Sequence, residues 1–200
     1  MSRCYTNISS TYSERKDSRP SHVSSPDDVM AVIKAKAQKY GIDWRWLAAM
    51  AYVESNLVTN ARNSKGYCGL FQWNENRKDI AHILGKDVSD IGNIYDVDLQ
   101  TEASAKRMAA NVNDSRYKGL NGDDCYLYAG ICHNAGEGGA GFILSRSMPK
   151  TVRQMSKTIM NVPSSEIKWD WMKKKEKRDE ISTYPQKMKA AYDSIVKKYG

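Results

Sequence analysis

The sequence predicts an all-α or mostly α fold. Three observations carry that reading. Apolar residues recur at three- and four-residue spacing in several segments. Those segments open on helix-capping residues, and some close on glycine. No apolar–polar alternation runs longer than a few residues, so no strand of ordinary length is expected. The 200 residues suit one globular domain plus extensions. A hydrophobic fraction of 40% with 27% charged residues is compatible with a packed core.

Residues 1–25 are rich in Ser, Thr and charge and read as a flexible arm, or one ordered only by a partner. A domain is expected over 26–148, followed by a basic helical extension over 149–200. The domain opens on Ser25, a cap, with Pro26 in the first turn and Asp27 and Asp28 at the positive end of the helix dipole. Val29, Ile33, Ala37 and Tyr40 then recur at helical spacing until Gly41. Asp43 caps a second helix, WRWLAAMAYVES, whose apolar residues surround most of its circumference, as in a central buried helix. That helix ends in Glu54. Residues 74–85 read as a short helix ending at Gly85, and 86–97 as loop. A helix over 98–112 is expected to be capped by Asp98, with Leu99, Ala103 and Met108 buried. Asp123 or Asp124 opens another, which the run GEGGAG is expected to end. Beyond Pro149 the helical pattern is divided by Pro163 and Pro185, and Met188, Tyr192, Ile195 and Tyr199 share one face of the last helix.

The net charge of +8 belongs to the C-terminus: residues 146–200 carry 14 basic and 6 acidic side chains, whereas 26–145 carry 13 and 15. The excess suits an anionic polymer or a solvated helical face, and does not choose between them. No stretch approaches the ~18–20 apolar residues of a membrane span. Residues 1–25 contain no apolar signal core, so no secretory leader is expected. The four cysteines, Cys4, Cys68, Cys125 and Cys132, form no CxxC pair, and the three histidines are scattered, so neither a zinc site nor another cofactor is expected. Buried free thiols are favoured over a bridge from Cys68 to Cys125 or Cys132.

Glu54 is the most informative residue. A carboxyl at the end of an apolar helix is partly desolvated, which favours its protonated form, and a protonated carboxylic acid is what a glycosidase presents to a leaving glycosidic oxygen. Glu54-Ser55, then Gly66-Tyr67-Cys68-Gly69-Leu70-Phe71-Gln72, then His133-Asn134-Ala135-Gly136 follow in order. These resemble the ES, GxxGLxQ and YNAG motifs of the soluble lytic transglycosylase (SLT) domain family, relatives of goose-type lysozyme, over about residues 28–145. The resemblance implies a lysozyme-like fold and cleavage of the MurNAc–GlcNAc bond of peptidoglycan. It further implies that Glu54 gives its proton to the bridging oxygen, then takes one from the C6 hydroxyl of the same muramoyl sugar, which closes a 1,6-anhydro ring. Between Glu54 and Gln72 there is no other acidic residue, which agrees with a single catalytic carboxyl.

Gln72 and Asn134 offer donor and acceptor to a sugar. Tyr67, Phe71 and Trp73 offer flat apolar surface, although core packing is as good a role for Phe71. The loop polar residue of the family falls on Asn63 or Ser64. His133 stands where the family has tyrosine, which implies sensitivity of activity near pH 6–7, and Tyr126, seven residues earlier on about the same face, is a substitute for the missing phenol. The absence of an export signal points to delivery by a machine, a bacteriophage virion, with residues 1–25 and 149–200 attaching to tail proteins. A hydrolytic muramidase, a non-enzymatic virion protein on a lysozyme fold, and nucleic-acid binding through 146–200 are the competing readings. The last has no recognised motif behind it.

Overall fold

The computed structural model describes residues 25–114, 120, 122–146 and 157–200. The expected N-terminal arm (apart from Ser25), the start of the C-terminal extension and Cys4 lie outside the described residues. Helices dominate: α1 (Pro26–Tyr40), α2 (Trp44–Ser55), α3 (Lys78–Leu84), α4 (Val97–Val112), α5 (Asp123–Arg146), α6 (Asp170–Lys173) and α7 (Lys175–Tyr199). A hairpin of two-residue strands, β1 (Tyr67–Cys68) and β2 (Trp73–Asn74), pairs antiparallel with Tyr67 opposite Asn74 and Cys68 opposite Trp73. Among the described residues no helix is long and apolar enough to cross a membrane. The described residues form two compact units: 25–109 with 195–200, and those between 110 and 194.

In the first unit, α1 forms where its caps dictate. Ser25 Oγ accepts from Asp28 N at 3.2 Å while Asp28 Oδ2 accepts from Ser25 N at 3.1 Å, a reciprocal capping box. At the other end Gly41 (φ 67) turns the chain, and Ile42 N donates to Ala37 O at 3.0 Å. α1 packs on α2 and buries Val29, Met30, Ile33 and Ala37. In α2 every residue from Trp46 to Val53 except Tyr52 is buried, as its apolar circumference predicts. Ala48, Ala49 and Ala51 are among them, and side chains this small let neighbouring elements approach closely. Lys36, Lys39 and Tyr40 of α1 meet Glu102 of α4, and Lys36 also pairs with Asp98 at 2.8 Å.

Three expectations in this unit need correction. Residues 74–77 are not helical: Asn76 N and Lys78 N donate to the side chains of Asn74 and Asn76, both at 3.0 Å, so asparagine turns displace the first helical turn and α3 starts at Lys78. The cap of α4 is Asp96 rather than Asp98, its Oδ1 accepting from Asp98 N at 2.8 Å and Leu99 N at 3.1 Å. Leu99 is only half-buried, and its neighbour Gln100 is fully enclosed.

In the second unit, α5 breaks where the glycine run begins, as expected, but helix continues beyond the break. Its dihedrals break only at Gly136 (φ 72, ψ 159), a conformation essentially confined to glycine, and the helix resumes through Gly138 and Gly139 to Arg146. These later glycines serve close packing: a Cβ on Gly139 would lie 2.7 Å from Met172 Cε, and one on Gly138 3.3 Å from the Trp169 ring. Pro163 does separate two short helical turns, but Pro185 sits inside α7 without dividing it. The apolar face Ile181, Tyr184, Met188 and Ala191 is buried on both sides of Pro185, and this packing offsets the one backbone hydrogen bond the proline removes.

Candidate active site

The first unit contains Glu54, Asn63, Tyr67, Phe71 and Gln72; the second contains Tyr126, His133 and Asn134.

Glu54 lies in the last turn of α2 and is 5% exposed. The chain then reverses through two consecutive residues with left-handed backbone, Asn56 (φ 55) and Leu57 (φ 63). Asparagine tolerates that region; a leucine there is strained, and such strain persists only where surrounding contacts impose it. Ser55 supplies one such contact. Its Oγ donates to Leu70 O at 2.8 Å, tying the end of the Glu54 helix to the glycine-rich segment.

That segment is built around amides. Gly69 (φ 76) lets the backbone pass directly over the Gln100 carboxamide, where a Cβ would lie 1.9 Å from Nε2. Gln100, 0% exposed, accepts from Phe71 N at 2.9 Å through Oε1, and through Nε2 donates to Cys68 O at 3.0 Å and to Ile94 O. Gln72, itself left-handed (φ 50), turns its amide inward: Nε2 donates to Gly69 O at 3.0 Å and Ala61 O at 3.4 Å, and Oε1 accepts from Asn63 Nδ2 at 3.3 Å. Asn63 in turn accepts from Lys65 N at 2.9 Å and Tyr67 N at 3.1 Å. Asn63 and Gln72 are thus joined in one loop-shaping network, whereas Ser64 is exposed.

Phe71 and Trp73 are fully enclosed and Tyr67 nearly so. Trp73 Nε1 donates to Ser104 Oγ at 3.0 Å, which marks it as a core anchor between the hairpin and α4. Burial pushes the Cys68 thiol up to about 11, against a Tyr95 hydrogen bond that lowers it. Among the described residues, Cys68, Cys125 and Cys132 are not joined in a disulfide. Glu75, the next acid along the chain, pairs at the surface with Arg62 at 2.7 Å.

In the second unit, His133 and Asn134 are buried in α5 and Tyr126 is half-buried. Asn134 Nδ2 donates to Glu180 Oε1 at 2.6 Å, and Lys177 Nζ donates to Asn134 Oδ1 at 3.0 Å. Sequence reasoning missed Gln100, Lys177 and Glu180. A signal existed for Gln100, an amide on the same face of α4 as Val97, Ser104 and Met108. None existed for Lys177 and Glu180, which look like two more members of a charged run.

This helical architecture, with a small hairpin, is the lysozyme-like fold. Among solved structures the chain matches the X-ray structure of lytic transglycosylase Slt from Pseudomonas aeruginosa, an inactive glutamate-to-glutamine mutant, with a TM-score of 0.57 at 17% identity. The match covers 84% of this chain and 24% of that one, so the chain spans about a quarter of that protein's length. No curated protein matches. The family model for the Transglycosylase SLT domain matches residues 31–139, and the chain belongs to that family.

Proposed function

We propose that this chain is a peptidoglycan lytic transglycosylase in which Glu54 is the single catalytic acid and base. The observation that carries the reading is a buried carboxyl at the end of an apolar helix, in a chain of this family, with that helix end fastened to the glycine-rich segment through Ser55 and Leu70. A buried carboxyl is disfavoured in its charged form, which suits a group that must hold a proton until the glycosidic oxygen takes it. The bond to C1 then breaks with the electron pair leaving on that oxygen. The C6 hydroxyl of the muramoyl sugar closes on C1, and its proton returns to the Glu54 carboxylate. Atoms balance without water. That an inactive form of the Slt relative is a glutamate-to-glutamine mutant supports the choice of glutamate.

Asn63, Tyr67, Phe71 and Gln72 take part by shaping the segment the glycan meets. Tyr126, His133 and Asn134 of the second unit are proposed as glycan-binding residues in their own right. We also propose delivery by a bacteriophage particle, tested by immunodetection in purified virions; a signal confined to the cell lysate refutes it.

The test of the chemistry is mass spectrometry of digested sacculi. Wild type is expected to leave 1,6-anhydromuramoyl ends, and Glu54→Gln to lose activity by roughly 10²–10⁴-fold. Reducing ends one water heavier would mean hydrolysis instead. An active Gln variant, or an inert wild type, would end the proposal.

A further inference from the structure

Asn134 sits two residues before the backbone break at Gly136. It is gripped from α7 by three hydrogen bonds. Lys177 Nζ donates to Asn134 Oδ1 at 3.0 Å and to its main-chain oxygen at 3.3 Å, while Glu180 Oε1 accepts from Asn134 Nδ2 at 2.6 Å. Lys177 and Glu180 are themselves paired at 2.9 Å, with the lysine side chain 2% exposed. α7 lies beyond the segment that the family model matches.

A buried ion pair is a poor source of stability, because desolvation offsets most of the attraction. Its chemistry does supply orientation. An ammonium only donates and a carboxylate only accepts. Turning the Asn134 carboxamide over would set its NH2 against the ammonium and its oxygen against the carboxylate. One orientation is therefore enforced, and it leaves one Oδ1 lone pair and one Nδ2 proton uncommitted by this grip. The second bond of Lys177, to the Asn134 carbonyl, places positive charge where the first half of α5 ends at the Gly136 break, the favourable sign for a helix C-terminus. Close packing holds α7 in register: a Cβ on Gly130 would lie 3.0 Å from the Tyr184 ring.

We propose that Lys177 and Glu180 are positioning residues which fix the Asn134 carboxamide to meet an N-acetylated sugar of the glycan strand. The inference rests on the reading of Asn134 as a glycan contact, and it makes α7 part of the binding apparatus rather than an attachment tail.

The test uses the full chain carrying Glu54→Gln, so that substrate is bound without being cleaved. The probe is a purified uncross-linked peptidoglycan tetrasaccharide, and the readout is affinity by calorimetry. Asn134→Ala and the apolar pair Lys177→Met/Glu180→Leu are each expected to weaken binding by roughly ten- to hundredfold, the weight of charge-assisted hydrogen bonds. Combining them is expected to add almost nothing, because both act through one amide. Losses that multiply, or an apolar pair that binds normally, would overturn the proposal. Thermal midpoints confirm folding. If the apolar pair does not fold, Glu180→Gln replaces it, with the same non-additivity with Asn134→Ala expected and full multiplication overturning. If the Glu54→Gln parent itself fails to bind, the glycan reading has failed, and that is seen before any α7 substitution is made.

Discussion

Replacing Gly69 by alanine isolates how the glycine-rich segment is held. Two penalties arise there. The first is conformational: at φ 76 an alanine pays about 1 kcal/mol for left-handed backbone. The second is steric and specific to this site. A Cβ would lie 1.9 Å from Gln100 Nε2, 2.6 Å from Cδ and 2.8 Å from Oε1, so the whole carboxamide must leave. It takes with it the hydrogen bonds to Phe71 N, Cys68 O and Ile94 O, each worth about 1 kcal/mol, and more where the partner is left unsatisfied. The expected total is about 4 kcal/mol, or roughly 8–16 °C in Tm for a chain of this size. Gly41→Ala is the control, since Gly41 has nearly the same φ of 67 but nothing within 4 Å of the new methyl. It should cost about 1 kcal/mol. Urea unfolding followed by tryptophan fluorescence measures both. In a Gln100→Ala background the Gly69→Ala penalty should fall back to about 1 kcal/mol, because the colliding group is gone. The reasoning is refuted if Gly69→Ala and Gly41→Ala cost the same, or if removing Gln100 leaves the Gly69→Ala penalty intact.

Ser55, Glu102 and Cys68 each carry a further expected outcome. Ser55→Ala removes the 2.8 Å bond to Leu70 O and leaves a buried carbonyl unpaired, at a cost of roughly 1–3 kcal/mol; sacculus digestion should slow with it, and unchanged activity would show that the tether does not serve Glu54. Glu102 is pushed up by burial, but hydrogen bonds from Lys39, Tyr40 and Lys36 win and hold its carboxyl down at about 2. A depressed carboxyl stabilises the fold above its ordinary value of 4.5, and that contribution fades as pH falls toward 2. Tm measured over that window should therefore drop more steeply for wild type than for Glu102→Gln, and parallel curves would contradict the assignment. Cys68, raised to about 11 by burial, should react with a disulfide reagent at pH 8 roughly a hundredfold more slowly in the folded protein than in denaturant; mass-mapped labelling decides, and rapid native labelling of Cys68 would show the site to be open.

How much was legible in the sequence depended on the range of the interaction. Ser25, Pro26 and Gly41 mark the ends of α1 because a cap bonds to backbone within four residues of itself. Glu54 was legible because an acid at the end of WRWLAAMAYVES contradicts its surroundings. Asp98 was misread as a cap because Asp96 competes for the same N–H groups two residues earlier, and only backbone geometry separates them. The run GEGGAG marked the break at Gly136 but misled beyond it, because glycine lowers helix propensity whatever its reason for being there. Its packing reason, Met172 and Trp169, lies some thirty residues away.

The amino-acid sequence alone determined that the chain is helical and where α1 and α2 begin and end, and it singled out Glu54 and the Gly66–Gln72 segment as candidates for one chemistry. Tertiary structure alone decided that Gln72 turns its amide into its own loop, that Gln100 props that loop from α4, and that Lys177 and Glu180 close on Asn134 across more than forty residues. The division has one physical cause. Caps and periodicities are short-range and repeat from chain to chain, whereas a buried amide or ion pair is selected by whichever distant group folding brings to it. Its residue type shows what it can donate or accept but not to whom.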